Sequence, residues 1–322
     1  MKASGSAGLP KGVVYRHRHF VAQIDLLRAA FGIEPGGVDL PTFPPFALFD
    51  PALGLTSVIP DMDPTRPARA DPRKLLDGMQ RFGVDRLFGS PALMDVLARH
   101  AQPLPGLRAV SSAGTCVGRP VPPNVVRIIG ITDEALPEWS GQLVLGAHAI
   151  GEITVAGPSA TDEYFRRPDA TALAKIRERL DDGGERIVHR MGDLGWFDET
   201  GRLWFCGRKS QRVRTAEGTL FTEQVEPVFN THPQVRRSAL VGVGAPGAQR
   251  AVLCVELREG VDRAAGERVL AELAHQALGL VHTARIAHFL RHPRFPVDIR
   301  HNAKIGREQL SRWATDVLRR KQ

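Results

Sequence analysis

Residues 189–208 read HRMGDLGWFDETGRLWFCGR. Two apolar, aromatic arms, Trp196-Phe197 and Leu203-Trp204-Phe205, flank Asp198-Glu199-Thr200-Gly201. That pattern predicts an antiparallel hairpin with Glu-Thr-Gly as its turn. Just before the hairpin, Gly192 and Gly195 enclose Asp193. An aspartate held by flanking glycines can accept both hydroxyls of a ribose, as acidic residues do in other nucleotide sites. The same four residues also read as a plain turn. Just after the hairpin, Gly207-Arg208 offers a guanidinium suited to ribose or phosphate.

On both sides of this stretch strands and helices alternate. Val13-Val14-Tyr15 reads as a short strand, followed by a helix over about 19–31 with Phe20, Ile24, Leu27 and Phe31 on one face. Residues 36–72 are rich in proline and glycine, and Pro41, Pro44 and Pro45 argue against regular structure there. A helix is expected over 71–82, a strand over 84–87 and a second helix over 92–99, opened by Ser90-Pro91. From 125 to 155 the pattern turns to β, residues 175–180 read as helical, and the hairpin follows. Past Gly207 the order is helix, two strands and a long amphipathic helix over 263–280. The whole is an α/β chain with layered βαβ sheets, followed by a compact α+β unit.

Composition narrows the function. The 322 residues are 43% apolar and 24% charged, an ordinary globular balance. No apolar run approaches a membrane span or a signal-peptide core, so the expected compartment is the cytoplasm. Cys116, Cys206 and Cys254 are odd in number and far apart, which disfavours a disulfide framework or a zinc site, and no metal ligands are assigned. The net charge of +8 is spread along the chain and interleaved with acids. That argues against a nucleic-acid surface and is compatible with attraction for polyanionic small molecules. Only seven of the 43 basic residues are lysines: Lys2, Lys11, Lys74, Lys175, Lys209, Lys304 and Lys321. A lysine inside a motif therefore stands out.

Two of these lysines do stand in motifs. SGSAGLPKG, residues 4–12, offers backbone N–H groups at Ser4, Gly5, Ser6 and Gly8, with Lys11 as a point charge at its end. Its spacing is not that of a Walker A loop, and a flexible Gly/Ser leader would look similar. DIRHNAKIGR, residues 298–307, places Lys304 in a loop before the last helix; an ordinary surface lysine is the alternative.

In order and spacing these stretches resemble the adenylate-forming superfamily, which includes acyl-CoA synthetases, adenylation domains and luciferases. SGSAGLPKG is similar to that family's phosphate loop. Gly151-Glu152-Ile153, Gly157-Pro158 and Tyr164 resemble its next element, and residues 189–208 resemble its TGD…GR stretch. Gln224-Val225-Glu226 with His232-Pro233-Gln234-Val235 resembles the start of its mobile small domain, and NAKIGR resembles the element with its catalytic lysine. YRHRHF (15–20), residues 39–67, TCVGRPVPPN (115–124) and VDIRHNAKI (297–305) further resemble the bacterial olefin β-lactone synthetase branch.

The resemblance implies a large domain over 1–207 and a small mobile domain over 208–322. It implies ATP with Mg2+ and an acyl-adenylate intermediate. The substrate would be a fatty acid, a 2-alkyl-3-hydroxy acid in this branch, whose own hydroxyl then displaces AMP to close a β-lactone in olefin biosynthesis. Lys304 would be catalytic. Ser4, Gly5, Ser6, Gly8 and Lys11 would hold phosphates, and Asp193 and Arg208 would fix the ribose. Residues 39–67 would line an acyl channel or simply pack the core, and thiolase-like and hydrolase-like proteins would be pathway partners.

The pattern also departs from the family. Ala7 stands for a hydroxyl residue, and Ser210 stands where an acidic or lysine hinge residue is common. Only three residues precede the loop, so the large domain reads as truncated. The SSAG of 111–114 runs straight into TCVGRP, so an internal deletion is expected near 114–115, removing an aromatic-Gly-x-Thr-Glu element that serves adenine and magnesium. The alternatives are a fatty acyl-CoA ligase and an inactive remnant of such an enzyme, with nucleic-acid binding a distant third.

Overall fold

The computed structural model describes residues 2–3, 11–100, 106–111, 116–297 and 305–320. Its first layer is a parallel sheet whose strands run in the order Thr56–Ser57, Val38–Pro41, Arg86–Phe88 and Ala109–Ser111. Parallel strands need covered crossovers. The helices Pro72–Phe82 and Pro91–Arg99 are capped by side chains, Asp71 accepting from the Arg73 N–H and Ser90 from the Leu93 N–H. They bury Leu75, Leu76, Met79, Leu93 and Leu97 against Leu40 and Leu87 of the sheet. Near the sheet, helix His17–Phe31 packs Ile24 with Leu53 and Leu55, and Phe20 stacks on Phe49.

The proline-rich 36–72 segment is more ordered than its composition predicts. It supplies two of the four parallel strands, a 3-10 turn at Pro44–Leu48 and a short helix at Asp50–Leu53. The prolines fall at the strand's last residue, Pro41, and at the first position of a turn, Pro44, where a missing N–H costs nothing.

The second layer is a six-stranded, antiparallel sheet in the order Cys116–Gly118, Leu203–Arg208, Glu185–Phe197, Gly151–Ala156 and Val125–Ile129. The hairpin forms with Asp198 holding its turn: Oδ1 accepts from the N–H groups of Thr200 and Arg202, and Oδ2 from the Trp204 indole. Residues 175–180 are not helical. Lys175–Arg179 is the sixth strand, paired with Glu185–Phe197, and the helix ends before it at Pro168–Ala174. Tertiary pairing overrides helix propensity here: Glu178 accepts from Arg186 on the adjacent strand and from Arg127 on Val125–Ile129.

The last part of the chain builds a three-stranded sheet. Val235–Val243 pairs antiparallel with Arg250–Leu257, which pairs parallel with His288–Arg291. Helices Thr222–Asn230 and Arg263–Ala277 cover one face, and Arg307–Arg320 covers the other. The apolar clusters of this part draw on residues 213–318, and those of the preceding layers on residues 20–205. Cys206 and Cys254 are buried free thiols, and burial pushes them up to about 11 and about 12. Among the described residues no helix is long and apolar enough to cross a membrane.

Candidate functional site

Asp193 and Arg208 are direct cross-strand partners on the two arms leading into and out of the hairpin. Gly192, with φ +71°, lets the chain bend into a register shift beside Asp193. Gly207, with φ +119°, leaves room for Thr222, whose Oγ1 would lie 2.3 Å from any added Cβ. The Arg208 Nη1 lies 3.0 Å from Asp193 Oδ1. It is off the line of a hydrogen bond, so that buried oxygen accepts from no donor. Burial raises the Asp193 carboxyl above its ordinary range, and Arg208 opposes the rise. The side chain as a whole is 19% exposed, so its other carboxylate oxygen can accept from a ligand hydroxyl.

Beneath this pair lies a charged network that the sequence motif alone does not reveal. Arg190 Nη2 is 2.7 Å from Glu152 Oε2, and the same guanidinium donates to the carbonyls of Thr132 and Glu134. Lys209, the residue after Arg208, donates to both Glu152 and the Thr132 carbonyl. The three side chains lock the strand carrying Asp193 to its neighbour and fix the chain just past Arg208.

The loop's end is held on another flank of the sheet. The Phe165 N–H donates to the Gly12 carbonyl at 2.7 Å, and the Val14 N–H to that of Glu163 at 3.2 Å. Lys11 Nζ sits 5.0 Å from the centre of the Tyr164 ring, with Lys175 Nζ at 5.8 Å. Lys175 is only 6% exposed and donates to the Thr161 carbonyl and hydroxyl; burial lowers its ammonium to about 8. His189 meets the same ring edge-on and is lowered to about 4, first by burial and then by Lys175.

Of the predicted site residues, Asp193, Arg208 and Lys11 are placed here. Ser4, Gly5, Ser6, Gly8 and Lys304 lie outside the described residues. Arg307 is clamped in a buried pair with Glu226 and donates to Gln211 at 3.2 Å, so the start of the last helix is anchored beside Gln211. An apolar groove of about 750 Å³ runs between Leu27 and Phe31 of the first helix, Phe43, Phe46 and Phe49, and Val121. Among the described residues no group of three His, Cys, Asp or Glu side chains could hold a metal.

Comparison with known proteins places this arrangement. The family model described as AMP-binding enzyme matches residues 3–132. Olefin beta-lactone synthetase of Xanthomonas campestris pv. campestris is 61% identical over 97% of this chain and 66% of its own length. That of Stenotrophomonas maltophilia (strain K279a) is 57% identical over 99% of this chain and 67% of its own. The chain belongs to the AMP-binding enzyme family. It spans about two thirds of the length of these curated relatives. Solved AMP-binding folds agree. Amide bond synthetase McbA from Marinactinospora thermotolerans superposes with a TM-score of 0.73 at 22% identity, over 95% of this chain and 68% of that one. The O-succinylbenzoate coenzyme A synthetase MenE from Bacillus subtilis, in complex with ATP and magnesium ion, gives 0.74 at 18% identity, over 96% and 69%. The mixed α/β layers are thus those of the adenylate-forming fold.

The residues missed by motif reading, Arg190, Lys209, Lys175 and His189, had one usable signal. Lys175 and Lys209 are two of seven lysines in an arginine-rich chain.

Proposed function

We propose that this chain binds ATP and uses it to activate a fatty acid as its adenylate. The Asp193–Arg208 pair carries the reading, because a partly exposed carboxylate beside a guanidinium suits the hydroxyls of a ribose. In this reading residues 1–207 form the large domain and 208–322 the small one. The substrate carboxylate oxygen attacks the α-phosphorus and pyrophosphate leaves. Two anions meet in that step, so positive charge must be in place beforehand. Lys11 and the backbone of Ser4, Gly5, Ser6 and Gly8 face the β- and γ-phosphates, Asp193 and Arg208 fix the ribose, and Lys304 meets the carboxylate. Magnesium bound with the nucleotide would offset the phosphates' charge, and no protein ligand is assigned to it.

The 57–61% identity to olefin beta-lactone synthetases supports a second step of the same kind. The 3-hydroxyl oxygen of a 2-alkyl-3-hydroxy acid attacks the activated carbonyl carbon, the bond to AMP breaks and the hydroxyl proton is released. Proximity within one molecule drives that closure. The aromatic groove at Phe43, Phe46 and Phe49 suits the alkyl chains. A cytoplasmic location beside thiolase-like and hydrolase-like olefin-pathway proteins follows from the same reading.

One observation favours a second reading, nucleotide binding without turnover. The alignments with the two synthetases run over 366 and 371 positions, more than the 322 residues of this chain. The relatives therefore carry residues inside the matched span that have no counterpart here. Pyrophosphate release with ATP, magnesium and a 2-alkyl-3-hydroxy fatty acid decides between the two. Turnover abolished by Lys304→Ala, with lactone as product, supports the enzyme. ATP binding with no release above background supports the second reading, and acyl-CoA formed on adding coenzyme A replaces the lactone assignment.

A further inference from the structure

Tyr164 stands where the chain leaving the phosphate loop crosses the flank of the antiparallel sheet. Its backbone is fixed from two sides. Val13 forms a β-bridge with it, and its N–H donates to Thr171 Oγ1 at 3.0 Å. The neighbours Glu163 and Phe165 bind Val14 and Gly12 through their main chains. A ring on so constrained a backbone is a rigid object, and it carries a cation from each of two distant segments. Lys11 Nζ is 5.0 Å from its centre and Lys175 Nζ 5.8 Å, within the range where the negative face of an aromatic ring attracts an ammonium.

The two lysines differ in freedom. Lys175 is buried and tied to both oxygens of Thr161, so its charge is fixed in place. Lys11 is half-buried at the start of a two-residue strand, with its ammonium over the Tyr164 ring. Two ammonium groups near one ring repel each other. An arriving polyanion relieves that repulsion, whereas an apolar ligand does not.

We propose that Tyr164 is a positioning residue for the phosphate loop: its ring sets the Lys11 ammonium toward the bound phosphates, and Lys175 supplies a fixed second charge beside it. The ligand is a polyphosphate, either the triphosphate of a nucleotide or free tripolyphosphate. This rests on the reading of residues 4–12 as a phosphate loop.

The seven lysines make the test direct. In the full chain, lysines are reductively methylated with a carbon-13 label and their signals followed by NMR, with Lys11 assigned through Lys11→Arg. The Lys11 signal should be ring-shifted in the wild type, keep its shift in Tyr164→Phe and lose it in Tyr164→Leu. Titration with tripolyphosphate and with ATP should move the Lys11 and Lys175 signals. Tyr164→Leu should weaken both ligands by roughly 2- to 30-fold, the range of a cation–π contact, and Tyr164→Phe should restore binding. ATP affected alone would assign the site to the nucleotide, and equal effects to phosphate chemistry in general. An unshifted Lys11 signal in the wild type, or undiminished binding by a folded Tyr164→Leu protein, overturns the proposal. Should Tyr164→Leu lose the dispersion of the other lysine signals, Tyr164→Met takes its place. A wild type that binds neither ligand removes the phosphate-loop reading, while the ring shift still decides whether Tyr164 holds Lys11.

Discussion

Glu152 and Arg190 form a buried ion pair across neighbouring strands, Oε2 to Nη2 2.7 Å, with each side chain 1% exposed. Lys209 completes it from the segment that follows Arg208, 3.1 Å from Oε1. Removing one member of a buried pair leaves the other's charge without compensation. Such losses cost about 3–5 kcal/mol. Glu152→Ala should therefore lower stability by that amount in denaturant unfolding, and the doubly neutral Glu152→Gln/Arg190→Met less than the sum of its parts. A Glu152→Ala loss below about 1 kcal/mol would mean that the pair contributes no more than a surface one.

Asp193 is a largely buried acid whose charge costs stability. Burial lifts its carboxyl above the unfolded value, so the folded state holds the proton more tightly. The stability linked to that proton is present below the unfolded value and lost as pH rises through the folded one. Asp193→Asn cannot ionise, so it should leave the unliganded protein as stable or more stable at neutral pH. If Asp193 accepts a ribose hydroxyl, the same change gives up a charged acceptor worth about 1.5–3 kcal/mol, so ATP should bind roughly ten-fold or more weakly by calorimetry. Unchanged ATP affinity would remove Asp193 from the nucleotide site.

Which features were legible follows from their range. The hairpin at 189–208 was readable because its turn, its aromatic arms and its glycines are local, and the cross-strand Asp193–Arg208 contact follows from the same register. The strand Lys175–Arg179 was not, although its ladder partner lies just across residues 180–184, because its charged residues lack the apolar alternation of a strand and Arg127, which pairs Glu178, comes from far back in the chain. Pro41 misled for the opposite reason. It excludes a strand interior but is harmless as a strand's last residue, which only the sheet reveals. The Glu152–Arg190–Lys209 network joins the Gly151-Glu152-Ile153 element to residues 190 and 209 at either end of the hairpin stretch, but which side chains pair is set by the sheet and not by the motifs.

A second buried acid lies away from Asp193. Asp39, on the central parallel strand, faces Asp50 and Arg86, and is raised to about 7, first by burial and then by the Asp50 charge. The Ser57 hydroxyl donates to Asp50. Between the ordinary aspartate value and about 7 the unfolded chain loses the proton while the folded chain keeps it, so stability should fall with pH across that window and level off above it. Asp39→Asn should flatten the slope when unfolding is measured from pH 4 to pH 8. The same slope in the variant would place the proton elsewhere.

Lys175 should give the opposite trend at higher pH. Its ammonium is lowered from 10.5 to about 8 by burial, with Asp162 opposing. Between those values the unfolded chain binds the proton and the folded chain does not, so stability should rise with pH from about 8 toward 10.5. Below that window the buried charge carries a cost on the order of 3 kcal/mol, set by 1.36 kcal/mol per unit. Lys175→Met removes the charge and keeps most of the apolar stem, so it should abolish the rise and stabilise the unliganded chain near pH 7. It also removes a cation beside Tyr164. If the phosphates of a bound nucleotide are what that buried charge serves, saturating ATP should stabilise the wild type more than Lys175→Met in thermal unfolding. Equal stabilisation of the two would separate Lys175 from the nucleotide and leave it a packing residue.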